Sequence, residues 1–393
     1  MQVRIEPVTT RGGLNTFIML PWQIYRGDPN WVPPLISEMK KLFNRDRFPF
    51  FRHSSAEFML AFDGSRPVGR IAAIHNTRHC EFHAEPVGFF GFFECADNRE
   101  AAERLFEAVA DWLRARGLKA MRGPMNYSTN DTCGLLVDGF DSPPFILMPH
   151  NPRYYPGLVE ACGFSKAKDL LAYLLTTESF VPDSQERGRF VVPELAGTGA
   201  RPGGTAADSP DGRPSSDPAQ APGRVARSET PRSLFEQQKK LAERLAARYE
   251  VKIRHVDMSR FREEVDVIRQ IYNGAWEKNW GFIPMTEAEF DYMASELKPV
   301  VKPEFLLFAE VKGKPAAFAL ALPNLNVALA KLNGRLFPTG LIKLLWHARN
   351  IRSLRVLTLG ILKEYRRHGI DALLYLSLIE RAIAKDYTSG ELS

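Results

Sequence analysis

The sequence has few cysteines, and they form no pattern that predicts a disulfide or a metal site. Its 393 residues contain four cysteines, and no two of them stand in a Cys-x-x-Cys pair. The segment from Cys80 to His83 could supply half of a zinc site, but no second pair of ligands follows it at a usual spacing. We therefore expect free thiols, no bound metal and a reducing, cytoplasmic setting.

Long hydrophobic runs are also missing. No apolar stretch reaches the ~18 residues of a membrane-spanning helix, and the first residues lack the pattern of a signal peptide. The hydrophobic fraction of 45% and charged fraction of 25% are those of a globular protein. A net charge of +6 favours anionic partners, namely CoA phosphates, a membrane surface or nucleic acid, without distinguishing among them.

Two stretches of the chain both contain, in the same order, a predicted strand, a hairpin, a further strand and a helix. In the first stretch the patterns predict strand 3–7, hairpin strands 57–62 and 67–76, strand 87–95, helix 97–116, strand 119–122, helix 153–162 and a final strand 168–176. In the second they predict helix 230–249, strand 251–255, helices 258–276 and 290–297, hairpin strands 305–312 and 314–322, strand 356–362 and helix 370–385.

This order predicts an α/β fold with mixed sheets, repeated in two tandem domains over 1–182 and 231–393. The second domain stops where a further strand is expected. It is therefore either cut short or completed by another segment. Between the domains, residues 183–230 are rich in Gly, Pro, Ser, Ala and Asp and predict a disordered linker or insertion.

The strongest functional signal is the stretch where an apolar run ends at Leu362 and a helix begins at Ile370. The first N–H groups of a helix lack partners, and the helix dipole adds positive potential, so such a turn attracts a pyrophosphate. Positive charge from Arg366, Arg367 and His368 would help, and Gly369 lets backbone approach an anion. The alternative is an ordinary connection with a solvated basic turn.

This stretch resembles the acyl-CoA motif of the GNAT N-acyltransferases, Arg/Gln-x-x-Gly-x-Gly/Ala. Arg366 and Gly369 match it, whereas Asp371 stands where the family has Gly or Ala. Most of the chain outside the insertion resembles the tandem-GNAT group that includes bacterial ceramide synthases, most closely in segments 122–134, 140–144 and 276–285.

The resemblance implies two GNAT-like domains, with acyl-CoA as co-substrate on the second and a backbone N–H of its central strand polarising the thioester carbonyl. The implied CoA-binding residues are Leu359, Gly360, Ile361, Arg366, Arg367, His368, Gly369 and Ile370. The first domain has Asp97 and Asn98 before its helix, so we expect it to be the scaffold or acceptor half.

A general base is harder to identify. Glu310, Glu277 and Glu391 lie in or beside elements that could face a cleft, and each could equally be an ordinary surface carboxylate. We take Glu310 and Glu277 as the catalytic candidates.

The polar loop (residues 122–134) and Trp280 are candidates for acceptor binding. Asn126, Asn130 and Asp131 could recognise an amino-alcohol head group, or the loop could satisfy its own polar groups as Asx turns.

Residues 331–355 carry six Lys or Arg and no acidic residue, interleaved with apolar residues. The pattern predicts an imperfect amphipathic helix that could contact an anionic membrane surface, on the inner face of the cell membrane. The alternative is a connector packed on the sheet.

The resulting hypothesis is an acyl-CoA-dependent N-acyltransferase, and the resemblance implies a long-chain sphingoid base as acceptor. One alternative is a non-catalytic binding or regulatory protein of the same fold. Another is a transferase that uses aminoacyl-tRNA. Nucleic-acid binding is not expected, because the aromatic residues cluster with apolar residues and do not alternate with Arg along strands.

Overall fold

A computed structural model describes residues 2–176 and 231–393 of the protein. The predicted linker over 183–230 falls outside the described residues. The elements up to residue 176 are β1 (Arg4–Pro7), α1 (Arg11–Met19), α2 (Pro21–Ile24), α3 (Ile36–Leu42), β2 (Ser55–Asp63), β3 (Arg66–His75), α4 (Thr77–His83), β4 (Val87–Cys95), α5 (Arg99–Arg114), β5 (Ala120–Arg122), α6 (Tyr155–Ala161) and β6 (Tyr173–Thr176).

The elements from residue 231 onward are α7 (Pro231–Tyr249), β7 (Val251–His255), α8 (Phe261–Ala275), α9 (Glu287–Leu297), β8 (Leu306–Val311), β9 (Lys314–Pro323), α10 (Asn326–Leu329), α11 (Gly340–Ala348), β10 (Ser353–Ile361), α12 (Ile370–Ala384) and β11 (Ser389–Leu392). Short 3-10 turns span Pro49–Arg52, Met258–Arg260, Pro303–Phe305 and Lys363–Tyr365.

Two mixed sheets share one topology. The first has the order β1-β2-β3-β4-β5, in which only the β4–β5 pair is parallel. The second contains the order β7-β8-β9-β10-β11, in which only the β10–β11 pair is parallel. A helix, α5 or α12, joins the fourth strand to the fifth in each case, so the predicted α/β fold class and tandem arrangement are confirmed.

Each sheet has a gap beside its fourth strand. The pairing of β3 with β4 shifts register between Arg70 and Ala72, and that of β9 with β10 shifts between Val356 and Thr358. Such bulges bend a strand and increase its twist. The parallel partner is short as well: β11 pairs with β10 only as far as Val356. Beyond that point the two strands no longer form a ladder.

The strand predicted over 168–176 was expected to be the last strand of the first domain, and this placement is wrong. It is β6, and it pairs antiparallel with β11 as the sixth strand of the second sheet. The outer edge of β11 offers unpaired backbone groups, which an extended segment satisfies.

The start of α5 also differs from the prediction in detail. Its cap is Asn98, whose side chain accepts a hydrogen bond from Ala101 N at 3.1 Å. Glu100, in the first turn of the helix, accepts a hydrogen bond from Val3 N at 3.0 Å. The first turn of α5 therefore has a side-chain partner of its own.

Helices cover both faces of each sheet. In the first sheet, α5 and α6 bury one face and the segment containing α1 to α3 buries the other. In the second sheet, α12 packs on one face through Ile370, Leu374 and Leu378, while Ile271 of α8 packs on the opposite face. Alternate residues of the strands supply the two cores.

The polar loop (residues 122–134) fills the gap of the first sheet. Met125 N donates to Phe90 O at 2.8 Å, and the side-chain oxygen of Asn126 accepts from Phe92 N at 2.8 Å, next to the bulge of β4. Backbone contact is so close that a Cβ on Gly91 would lie 2.2 Å from the carbonyl oxygen of Met125. The gap beside β4 is thus closed by the chain itself.

We predict that Gly91→Ala destabilises the protein by about 1–3 kcal/mol, because the new methyl group must displace the backbone of the polar loop. Gly157→Ala is the matched control, since nothing lies within 4 Å of a Cβ there and alanine suits its helix α6. Urea unfolding measures both free energies. Equal stability of the two variants would contradict the close packing of the loop against β4.

Candidate active site

A large cavity of about 1110 Å³ is lined by residues from both halves of the chain. Its walls come from the polar loop, α8, α9, β10 and the segment around Phe48 and Phe50. Pockets for small ligands usually measure roughly 300–1,000 Å³ and are mostly apolar. The volume therefore suits a ligand with a long apolar part.

The part of the polar loop around Thr129 and Asn130 lies in the wall of this cavity. Thr129 Oγ1 donates to Gly281 O at 2.7 Å, and Asn130 Nδ2 donates to Ile283 O at 3.2 Å. The hydroxyl of Tyr272 on α8 donates to Asn130 Oδ1 at 2.7 Å. These bonds join the loop to the second half of the chain and fix its side chains in the cavity wall.

Asp131 is the carboxyl group at the centre of this wall. Ser128 Oγ donates to Asp131 Oδ2 at 2.7 Å. Asp131 is solvent-exposed, and it lines the cavity, where surrounding protein groups desolvate the carboxyl. Desolvation raises the pKa of Asp131 to about 7; the charge of Glu289 adds to the rise and hydrogen bonds from Ser128 oppose it. Such a group exchanges a proton near neutral pH.

Glu289, also in the cavity wall, has the opposite electrostatic setting. Burial disfavours its charge, but hydrogen bonds from His53 at 2.9 Å and from Thr286 hold its pKa below the usual value. The pKa values of two carboxyl groups in one cavity wall are thus shifted in opposite directions, that of Asp131 upward and that of Glu289 downward. Asp131 is the one able to accept a proton.

The gap of the second sheet opens into the cavity. Leu357, Thr358 and Leu359 of β10 line it just beyond the last pair with β11. Tyr375 lines it too, although α12 lies on the sheet face opposite to α8. The cavity is thus lined from helices on both faces of the second sheet.

The start of α12 differs from that of α5. Gly369 precedes the helix with φ 73°, and no side chain caps the first turn. Asp371, in that first turn, is exposed and makes no capping bond. The free N–H groups and the dipole of α12 are therefore unopposed by a cap.

The predicted CoA-binding residues occupy different surroundings. Arg366 Nη2 donates to Ala275 O at 2.5 Å and Nε to Ile361 O at 3.4 Å, so its guanidinium holds the turn. The exposed Arg367 has no ion pair within the described chain. His368 stacks on Tyr249 at 4.2 Å. From the predicted set, Leu359 lines the cavity, whereas Gly360 and residues 366–370 do not.

The predicted catalytic glutamates lie outside the cavity wall. Glu310 on β8 pairs with Arg254 at 2.6 Å, and Arg254 also pairs with Glu264. Glu277 is exposed in the turn after α8. The further candidate Glu391 is 3% exposed and pairs with Arg355 at 3.0 Å.

The predicted acceptor-binding residues, by contrast, share the cavity. Asn126, Asn130, Asp131 and Trp280 all line it. Each Asn side chain also bonds a protein partner, Asn126 with Phe92 and Asn130 with Tyr272 and Ile283. The sequence density of polar residues over 122–134 was thus a sound signal for the cavity wall, while nothing local in the sequence pointed to Glu289 or Tyr272.

In the described parts of the chain, no helix is both long and apolar enough to cross a membrane. The segment from Cys80 to His83, which could have supplied half of a zinc site, has other partners. His83 Nε2 lies 2.8 Å from Phe282 O, and Cys80 Sγ lies 3.4 Å from Val87 O.

Two curated relatives match most of the chain, whereas no protein-family model matches it. The bacterial ceramide synthase of Caulobacter vibrioides (strain NA1000 / CB15N) is 35% identical over 365 residues, which cover 92% of this chain and 81% of the relative. Protein YghO of Escherichia coli (strain K12) is 32% identical over 378 residues, 96% of this chain and 83% of the relative.

Among solved structures, the tandem GNAT protein from the clavulanic acid biosynthesis pathway is similar with a TM-score of 0.47 and 10% identity. The match covers 100% of this chain and 89% of that chain.

We predict that Asp131 makes stability depend on pH. Its pKa of about 7 in the folded state exceeds the ~3.9 of an unfolded chain, so the stability that its protonation supplies is present at acid pH and lost as pH rises through about 7. Urea midpoints of the wild type should fall relative to Asp131→Asn between about pH 4 and about pH 7 and level off above that. The variant Asp138→Asn, at an exposed loop position, should follow the wild type. Parallel curves for Asp131→Asn would exclude this titration.

Proposed function

The chain belongs to the family of the bacterial ceramide synthase of Caulobacter vibrioides, and from that premise we propose that it is an acyl-CoA-dependent N-acyltransferase acting on a long-chain amine. The observation that carries the proposal is the single cavity in which the gap beside β10, the carboxyl group of Asp131 and a broad apolar surface meet. A transferase of this kind needs a place for the thioester, a proton acceptor and space for lipid chains.

The acyl donor is proposed to lie in the gap beside β10. Leu357, Thr358 and Leu359 of β10 line the cavity, and a backbone N–H of this strand would polarise the thioester carbonyl. The uncapped first turn of α12 and the exposed Arg367 suit the pyrophosphate of CoA. Leu359 would lie along the donor, while Arg366 keeps the turn in shape.

The acceptor is proposed to be a long-chain amino alcohol such as a sphingoid base. Its amine would lie near Asp131, within the polar wall that also includes Asn126 and Trp280. Its chain would lie on the apolar part of the cavity, formed by residues such as Phe48, Phe50, Ile268, Phe290, Leu297 and Phe318. We also propose that such substrates reach the protein at an anionic membrane surface, through a peripheral contact of residues 331–355.

Direct transfer follows from these positions. Asp131 accepts a proton from the acceptor's ammonium group, which gives a neutral amine. The amine nitrogen attacks the thioester carbonyl carbon, the C–N bond forms, and the C–S bond breaks. The second proton of the nitrogen ends on the departing sulfur, so that the products are an amide and the free thiol of CoA. A pKa of about 7 suits Asp131 to accept a proton at neutral pH.

We predict that Asp131→Asn lowers kcat/KM for amide formation by about 10²-fold or more, because the amide side chain accepts no proton. Palmitoyl-CoA and sphinganine are the substrates, and mass spectrometry measures the N-acyl product. Wild-type activity should rise with pH through about 7, and the residual activity of the variant should not show this rise.

Asp138→Asn is the control and should retain full activity and the wild-type pH profile. Unchanged activity in Asp131→Asn would remove Asp131 from the mechanism. Failure of the wild type to acylate any long-chain amine would contradict the proposed function itself.

The two arginines of the basic turn should behave differently. Arg366→Gln should lower stability by about 1–3 kcal/mol, because its bonds to two main-chain carbonyls are lost. Arg367→Gln should leave stability unchanged and weaken CoA binding a few-fold, most clearly at low salt. Urea unfolding and isothermal titration with CoA measure the two effects. Wild-type CoA affinity in Arg367→Gln would argue against a pyrophosphate at this turn.

A further inference from the structure

Helix α11 exposes the apolar side chains that soluble helices usually bury. The exposed fractions are 44% for Leu341, 71% for Ile342, 60% for Leu345 and 65% for Trp346, and Phe337 just before the helix is 77% exposed. Only Gly340 of the helix is buried. Contiguous exposed apolar surface of this kind marks an interaction site.

These side chains form one face. Ile342, Leu345 and Trp346 follow the i, i+3, i+4 spacing that places residues on one side of a helix, and Leu341 lies one turn before Leu345. The predicted alternative, a connector packed on the sheet, therefore does not describe α11, although the helix is shorter than the expected amphipathic segment.

Unpaired cations surround this face. Lys331, Arg335, Lys343, Arg349 and Arg352 are all exposed, and none of them forms an ion pair with the carboxylates of the described residues. The whole segment 331–355 contains no acidic residue. An apolar face bordered by positive charge alone is complementary to anionic headgroups above hydrocarbon, whereas a protein partner would have to supply a matching acidic rim.

The base of α11 is fixed to the rest of the protein. Trp22 Nε1 donates to Asn333 Oδ1 at 2.7 Å, and Ile36 N donates to Gly334 O at 3.0 Å. Asn326 Nδ2 of the neighbouring α10 donates to Pro144 O at 2.8 Å. The outward direction of the apolar face is thus set by contacts on its other side, and no lid movement is needed to expose it.

We propose that α11 and Phe337 form a membrane-docking surface whose apolar side chains enter the interface of an anionic bilayer while the surrounding Lys and Arg bind its headgroups. This surface rests on and specifies the peripheral membrane contact proposed above, and it acts without substrate, CoA or the groups of the cavity. It gives the protein a defined orientation on the bilayer.

The test is cosedimentation of the full chain with vesicles, without CoA or amine. Wild-type protein should bind phosphatidylcholine vesicles that contain phosphatidylglycerol, and bind pure phosphatidylcholine vesicles at least about tenfold more weakly. A triple variant, Ile342→Ser, Leu345→Ser and Trp346→Ser, should reduce binding by about tenfold or more. Its control is Val137→Ser with Leu241→Ser, two apolar residues exposed elsewhere.

A second pair separates charge from apolar contact. Lys343→Glu with Arg349→Glu should weaken binding about tenfold, while Lys119→Glu, an exposed lysine of the first half, should not. Circular dichroism establishes that each variant is folded.

Three results would each overturn the proposal. They are failure of the wild type to bind anionic vesicles, undiminished binding by the triple variant, and sedimentation velocity that shows this face joining two copies of the chain. Amide formation in detergent, measured separately, should stay at wild-type rates in the triple variant.

Discussion

The polar loop (residues 122–134) is the constraint on which the rest of the structure depends, because it belongs to both halves of the molecule at once. One end closes the gap of the first sheet through bonds from Met125 to Phe90 and from Phe92 to Asn126. The other end is bonded to residues 272–283 and holds Asp131 in the cavity wall. A loop anchored at both ends loses little further entropy when it positions a reactive group. The cavity therefore has a rigid polar wall even though that wall is made of irregular backbone.

The two copies of one topology differ at two equivalent places, the start of the helix after the fourth strand and the surroundings of that strand. In the first copy Asn98 caps α5 and the chain itself fills the gap beside β4. In the second copy Gly369 leaves α12 uncapped and the gap beside β10 opens into the cavity. These local differences are why we propose the donor site in the second half and not in the first.

Much of the fold was predictable because its signals are local. Alternating apolar residues and the turn at Asp63 predicted the β2–β3 hairpin, and the glycine at 369 predicted the start of α12. The membership of β6 in the second sheet was not predictable, since it depends on a partner more than two hundred residues away. The site divides in the same way. A dense run of polar residues identified the loop that contains Asp131. The pairing of Glu310 with Arg254 was not predictable, because the two residues lie far apart in sequence. The raised pKa of Asp131 depends on desolvation by surrounding protein groups, which only the assembled cavity provides.

The pairing of β6 with β11 ties the two halves together in a way that the strand order alone does not suggest. A strand that follows the first half in sequence forms the outer edge of the second sheet, so the second half owes part of its hydrogen-bond ladder to the chain before it. A fragment beginning at residue 231 would present β11 as a bare edge, a ready template for pairing with other copies. Because the two halves share one sheet, neither half is expected to fold well when it is expressed alone or exchanged between proteins.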